Sequence, residues 1–220
     1  MMLPLPPPDS VNILLERAQG IAGKTLGRLA ADYGETLPPN LVFAKGWVGQ
    51  FIEKVLGAEA NNLDQPDFLR LGIELKTLPI SPSGLPKGST YICTAPIPNP
   101  DRCFATSRVW RKMANMLWIP IEAHPHKPLA EQKIGQAIRW TAYGKLYEQL
   151  RQDWEELMEI IALGQFEALS AHKGEFLQIR PKAANAKKFI QVINSEGEQI
   201  AIVPKGFYVR RALTRLILAY

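Results

Sequence analysis

The chain of 220 residues is 46% hydrophobic, enough to bury a real core in one domain or two closely packed lobes. Mean hydropathy is near zero and no apolar run is long enough to span a bilayer, which excludes a helical membrane protein; two cysteines, Cys93 and Cys103, are too few for a disulfide framework and fit a reducing cytoplasm. The formal net charge is +5, and from Lys173 onward nine basic residues stand against three acidic ones, a bias that suits a solvated basic surface and a polyanion-binding lobe about equally.

In chain order, residues 1–9 form a proline-rich segment, expected to be flexible and lacking the apolar core of a signal peptide. Residues 10–18 and 24–32 are predicted short helices, the first with Ser10 as its N-cap. After Pro38-Pro39-Asn40, the segment Gly46 to Gly57 is strongly helical: Trp47, Val48, Phe51, Ile52, Val55 and Leu56 recur on one face, while Gly46, Gly49 and Glu53 share another. Glycine inside a helix costs about 1 kcal/mol relative to alanine, so it points to close approach of another backbone, from tight helix–sheet packing or from nucleic acid. Asp67 to Lys76 ends as a buried strand, followed by a turn at Ser81 to Gly84 and a strand at Thr90 to Ala95, antiparallel to the first if a simple hairpin joins them.

Pro98 to Asp101 marks a loop, and Ser107 is placed to cap a helix through Met116. Leu117 to Ile121 reads as a strand whose Pro120 points to an edge or a bulge, and Glu122 to Gly135 reads as loop. Leu146 to Leu163 is the longest predicted helix, with Gly164 suited to the position after its C-terminus. A strand at Glu175 to Ile179 stops at Arg180-Pro181-Lys182. A helix around Asn185 to Asn194, a strand at Gln199 to Val203, a turn at Pro204 to Gly206 and a C-terminal helix carrying Arg210, Arg211 and Arg215 complete the pattern.

The chemistry concentrates in one strand. Alternation puts Ile73 and Leu75 on one face and Glu74 and Lys76 on the other, a carboxylate and an ammonium roughly 7 Å apart by strand rise. An acid–x–lysine pair is common on exposed strands, but this strand is otherwise apolar, so the pair is expected to be partly desolvated and to need partners or a metal. Asp67 upstream and Glu53 on the glycine-bearing helix supply further carboxylates. Oxygen-only ligation of this kind suits Mg²⁺, with Mn²⁺ as a substitute, and phosphodiester hydrolysis is the matching reaction. His124, His126 and His172 and the two cysteines fall into no zinc-binding spacing, and no phosphate-cradling glycine-rich loop is visible. Arg180 and Lys182 bracket a stiffening Pro181 at a strand end, two long donors able to reach guanine edges or phosphates. Lys45, just before the Gly-Trp helix, is a candidate phosphate contact.

Gly46-Trp47-Val48-Gly49, Glu53, Asp67 and Gly72-Ile73-Glu74-Leu75-Lys76-Thr77 together resemble the MutH family of DNA mismatch-repair endonucleases. So do Leu117-Trp118-Ile119-Pro120, Asp153 to Met158, Gln178 to Lys187 and Gly206-Phe207-Tyr208, in consistent order from about Leu14 to near the C-terminus. The resemblance implies an α/β (mixed α+β) fold of the restriction-endonuclease type: a mixed sheet flanked by helices, one endonuclease domain over residues 1–220 made of two lobes around a DNA-binding cleft. It implies Mg²⁺-dependent nicking of the unmethylated strand at hemimethylated GATC sites, 5′ to the G. The stimulating partner is MutL, acting after MutS finds a mismatch, and the enzyme is expected as a cytoplasmic, nucleoid-associated monomer. Mapped by motif, Asp67 and Glu74 are the metal ligands, Lys76 is the catalytic lysine, and Glu53 completes the acidic cluster. Lys112 occupies the place of a second active-site lysine on a weaker local match. Arg180, Pro181 and Lys182 carry the reading of the GATC site, and Tyr208 matches a tyrosine near the adenine whose methylation is sensed; from the residues alone, Tyr208 reads as a core aromatic. The family's tail runs slightly longer in some members, and regulation here differs if that tail takes part in activation. Two other readings stand beside this one: a restriction-type enzyme cutting both strands, and a catalytically idle DNA-binding module.

Overall fold

A computed structural model describes residues 5–39, 46–59, 64–182 and 189–219. Among them the chain forms six helices and eight strands and divides into two compact units, Met1–Lys87 with Asn115–Thr141, and Gly88–Ala114 with Ala142–Ala219. No helix among the described residues is long and apolar enough to cross a membrane.

The first unit begins with α1 (Val11–Ile21), whose N-cap Ser10 accepts from the Ile13 N–H, and α2 (Leu26–Tyr33), capped in the same way by Thr25. α3 (Trp47–Leu56) starts at Gly46, which holds a left-handed φ of 88° that a side chain would strain. Its sheet has the order β1 (Glu74–Ile80), β3 (Met116–Glu122), β4 (Ile138–Trp140), with β1 and β3 parallel and β4 antiparallel. Leu75, Leu117, Ile119 and Ile121 join Leu14, Leu29, Ile52 and Leu56 in one buried core, so a single face of the sheet meets the three helices. The opposite face at the start of β1 is left to Glu74 and Lys76.

The second unit is built on an antiparallel sheet of order β2 (Thr90–Thr94), β8 (Lys205–Val209), β5 (Leu177–Pro181). A separate hairpin pairs β6 (Ile190–Ile193) with β7 (Gln199–Ile202). α4 (Arg108–Met113), α5 (Lys145–Ala162) and α6 (Arg211–Leu218) complete the unit, with α5 against β5 and α4 against β2.

Several expectations change. The strand begins at Glu74, and the upstream Asp67 folds back towards it as expected, turned by a tight loop that Phe68 and Ile73 close by bridging each other. β2 does not form a hairpin with β1; it pairs with β8, more than a hundred residues on, so strand type was legible but its partner was not. Pro120 lies in the middle strand of its sheet, not at an edge. It sits where pairing with β4 stops at Trp118 and before the isolated bridge of Ile121 to Ile134, so its missing N–H falls in a gap of the ladder. Residues 190–193 of the expected helix are strand β6, and its residues 185–188 lie outside the described ones. Lys205 and Gly206 open β8 instead of making a turn, and the C-terminal helix begins after Arg210, its N-cap residue.

Candidate active site and candidate nucleic-acid interface

In the first unit, the loop closed by Phe68 and Ile73 brings Asp67 against the start of β1. The Leu75 N–H donates to Asp67 Oδ2 at 2.8 Å, so the carboxylate stands in for a neighbouring strand at that position. Glu74 is anchored by its own N–H, which donates to the Asn115 carbonyl at 3.0 Å. Its side chain is only 2% exposed and Asp67 is 7% exposed. The Lys76 ammonium reaches both: it donates to Glu74 Oε1, lies 4.0 Å from Asp67 Oδ2, and donates to the Leu75 carbonyl at 2.9 Å. Two buried carboxylates and one cation thus share one end of one strand, as alternation and the upstream acid led one to expect.

Burial is the largest influence on Lys76 and by itself would lower its pKa. The charges of Glu74 and Asp67, the hydrogen bond to Glu74 and the more weakly acting Glu53 outweigh it, so the net shift is upward from 10.5 and the side chain stays an ammonium. Glu53, half-buried on α3, therefore acts on the same cation. Gly49, one turn earlier, has no packing reason to be glycine: a Cβ there would meet only Thr77 Oγ1 at 3.9 Å and Glu53 Oε1 at 4.0 Å, ordinary contacts. Tight helix–sheet packing does not explain it.

No group of three or more His, Cys, Asp or Glu side chains converges on a metal position among the described residues. The chemistry of the donors still fits a hard divalent cation: the available groups are buried carboxylate oxygens of Asp67 and Glu74, with Glu53 near, and Mg²⁺ uses one or two carboxylates and keeps its waters. Lys112 is buried in the last turn of α4, in the second unit. Lys45 lies outside the described residues.

The second unit gathers the other candidates on one face of its sheet. Gln178 and Arg180 of β5, Gly206 and Tyr208 of β8 and Tyr91 of β2 are register partners and so point the same way. Tyr91 and Tyr208 meet edge to face, with centroids 5.3 Å apart. The Arg180 guanidinium carbon lies 5.7 Å from the Tyr208 centroid, and Lys182 Nζ lies 5.2 Å from that of Tyr91. Arg180 Nη1 donates to Ser89 Oγ at 2.8 Å and Lys182 Nζ to Thr94 Oγ1 at 3.1 Å. Pro181 ends β5 opposite Lys205. Tyr208 is half-buried rather than a core residue; burial, and then Tyr91, raise its phenol pKa above 10.0 despite Arg180 and Lys182, so it remains a protonated donor.

Sequence reasoning missed Ser89, Tyr91 and Thr94. The strand expected at Thr90 to Ala95 does not place Tyr91, because a register shift between Tyr91 and Cys93 breaks the period-two alternation, and only the pairing of β2 with β8 brings Tyr91 to Tyr208. Gly206 allows that approach: a Cβ on it would come within 2.7 Å of Tyr91 Cε2 and 3.0 Å of the Cys93 carbonyl.

A family model described as DNA mismatch repair enzyme MutH matches residues 56–153, the stretch that holds Asp67, Glu74, Lys76 and Lys112. Among curated relatives, the DNA mismatch repair protein MutH of Escherichia coli O6:K15:H31 is 45% identical over 216 residues, covering 98% of this chain and 94% of that relative. The protein of the same name from Shigella boydii serotype 18 is 45% identical with the same coverage. That of Serratia proteamaculans is 44% identical over 215 residues, 97% of this chain and 94% of the relative. Identity at this level along almost the whole length, over a mixed α/β fold of the restriction-endonuclease type, shows that the chain belongs to the MutH family of DNA mismatch repair enzymes.

Proposed function

We propose that this chain nicks the unmethylated strand of hemimethylated GATC sites, 5′ to the G, in a Mg²⁺-dependent reaction stimulated by MutL after MutS has found a mismatch. Family membership makes it a DNA endonuclease, a phosphodiester hydrolase. The observation that supports metal-dependent cleavage is the Glu74–Lys76–Asp67 cluster at the start of β1; the site, strand and partner parts of the reading rest on membership of the MutH family. Asp67 and Glu74 would hold the cation, with Glu53 adding negative charge. Bound there, Mg²⁺, or Mn²⁺ in its place, would supply Lewis-acid stabilisation of the scissile phosphate and a more acidic water.

Lys76 has a different task. Held by Glu74 Oε1 and the Leu75 carbonyl, its ammonium would orient or activate the attacking water and offset the charge growing on the phosphate oxygens. Lys112 is assigned as a second cation for the same charge. Recognition falls to Arg180, Pro181 and Lys182, with Tyr208 sensing the adenine methyl and Lys45 holding a phosphate. The protein works as a monomer on chromosomal DNA in the cytoplasm, in direct contact with MutL and only indirectly with MutS.

The deciding experiment uses a plasmid with a single hemimethylated GATC, with Mg²⁺ and with EDTA. An open-circular product that needs Mg²⁺ and carries the cut in the unmethylated strand is expected. A linear product marks a restriction-type enzyme instead, and binding without cleavage marks an idle module. Tyr208→Phe and Tyr208→Ala are expected to narrow the preference for unmethylated over methylated strands; unchanged discrimination in both removes Tyr208 from the sensing role.

A further inference from the structure

We infer that the Ser89 and Thr94 hydroxyls, both on the segment around β2, are positioning residues that hold the Arg180 and Lys182 cations in their DNA-reading conformations before DNA arrives. The inference rests on the reading of Arg180 and Lys182 as sequence readers.

Both cations leave the end of β5 as long, rotamer-rich side chains, which in solvent would sample many positions. Here each has one neutral acceptor and one aromatic surface. Lys182 donates to Thr94 Oγ1 and lies over Tyr91, while Tyr91 Oη shares Thr94 Oγ1 at 3.1 Å. Arg180 donates to Ser89 Oγ and lies by Tyr208. The acceptors are hydroxyls and not carboxylates, so they fix geometry without neutralising charge. A lysine ammonium keeps two further N–H donors after meeting Thr94, and a guanidinium keeps four after meeting Ser89. The remaining donors stay available for a guanine edge or a phosphate. Pre-ordering of this kind lessens the entropy lost when the side chains are immobilised on the ligand. Gly206 belongs to the same arrangement, since a side chain there would push Tyr91 away from Lys182.

The test measures equilibrium binding of the full-length protein to a short duplex with one GATC and to the same duplex with one base of the site changed. Thr94→Val removes the hydroxyl at nearly constant shape and is expected to narrow the GATC preference about fivefold, the equivalent of one hydrogen bond. Thr94→Ser should restore it. In a Lys182→Ala background, Thr94→Val should change nothing further, because Thr94 acts through that lysine. Additive effects of the two substitutions, or full preference retained in Thr94→Val, overturn the inference while leaving the reader assignment in place. Equal binding of both duplexes by the wild-type chain, or unchanged preference in both Arg180→Ala and Lys182→Ala, removes the reader assignment and the inference with it. Ser89→Ala with Arg180→Ala gives the parallel cycle for the other cation.

Discussion

At the scale of the residue, the cluster on β1 is a desolvated ion pair with a second acid beside it, and such a pair responds asymmetrically to substitution. Lys76→Met leaves Glu74 and Asp67 buried without their cation, which should cost about 3–5 kcal/mol, the range for breaking a buried pair. Adding Glu74→Gln removes the stranded charge, so the double variant should recover part of the loss in urea unfolding; equal midpoints for the single and double variants would show that the pair is not electrostatically coupled. Both variants should be inactive in nicking, since each lacks a proposed catalytic group. Lys205 shows the opposite electrostatics. It opens β8 on the side of the buried Phe207 and Val209, half-buried, and its ammonium has no hydrogen-bond or ion-pair partner among the described residues. Burial lowers its pKa from 10.5, so the unfolded chain holds that proton more tightly than the folded one. The charged side chain therefore opposes folding at every pH below its lowered pKa, and the penalty fades as pH rises to 10.5. Lys205→Met should raise the Tm at neutral pH, with the gain shrinking in alkaline buffer; a gain independent of pH would assign the effect to packing instead.

At the scale of the element, the strand that carries Arg180 is fixed at its beginning by a turn gripped from both sides. Asp153, 3% exposed on α5, accepts from the N–H groups of Glu175, Phe176 and Leu177 at 2.9, 2.6 and 2.8 Å. Arg210, at the start of α6, donates to the carbonyls of His172, Lys173 and Gly174 at 3.3, 3.1 and 2.6 Å. Asp153→Ala orphans three buried or half-buried donors and should cost about 3 kcal/mol, with faster amide exchange in β5; Asp153→Asn should recover only part, because its amide turns a donor toward donors. α3 gives the contrary case. Gly49→Ala meets no obstacle, so helix propensity predicts a gain of about 0.5–1 kcal/mol, read from thermal unfolding; a loss would reveal packing that the geometry does not show. The same contrast explains what was legible in the sequence. α1, α2, α3 and α5 announced themselves through apolar periodicity and caps, and the Glu74–Lys76 pair through alternation, because these signals are local. β4 spans three residues, too few for a pattern, and β6 lies where the sequence pattern predicts a helix. β8 is the middle strand of its sheet, yet it begins at Lys205-Gly206 after Pro204, which locally reads as a turn. Without β8, the meeting of Tyr91, Tyr208 and Arg180 could not be foreseen, since it depends on pairings between distant segments.

At the scale of the whole molecule, opposite charges are assigned to different units and so to different tasks. The buried acids Asp67 and Glu74 belong to the first unit, whereas the basic excess from Lys173 onward, together with Arg180 and Lys182, belongs to the second. A chain organised in this way should bind DNA through one set of residues and cut it through another. Affinity for a GATC duplex should fall steeply with salt, the logarithm of the binding constant dropping by about 0.9 per phosphate neutralised for each unit of log salt. Glu74→Gln should abolish nicking yet keep that slope, and it should bind as tightly as wild type or more tightly, because it removes an acid proposed to face the scissile phosphate. Arg180→Ala and Lys182→Ala should each weaken binding and reduce the preference for GATC, while the slope changes by less than one if their main contacts are base edges. Binding isotherms across a salt series, with nicking measured on the same preparations, separate these outcomes. If Glu74→Gln lost affinity in proportion to activity, the carboxylate would be serving DNA binding as well as cutting, and the division of labour between the units would fail. If Lys182→Ala lowered the slope by a full unit without altering site preference, that lysine would be a phosphate clamp, and sequence reading would rest on Arg180 alone.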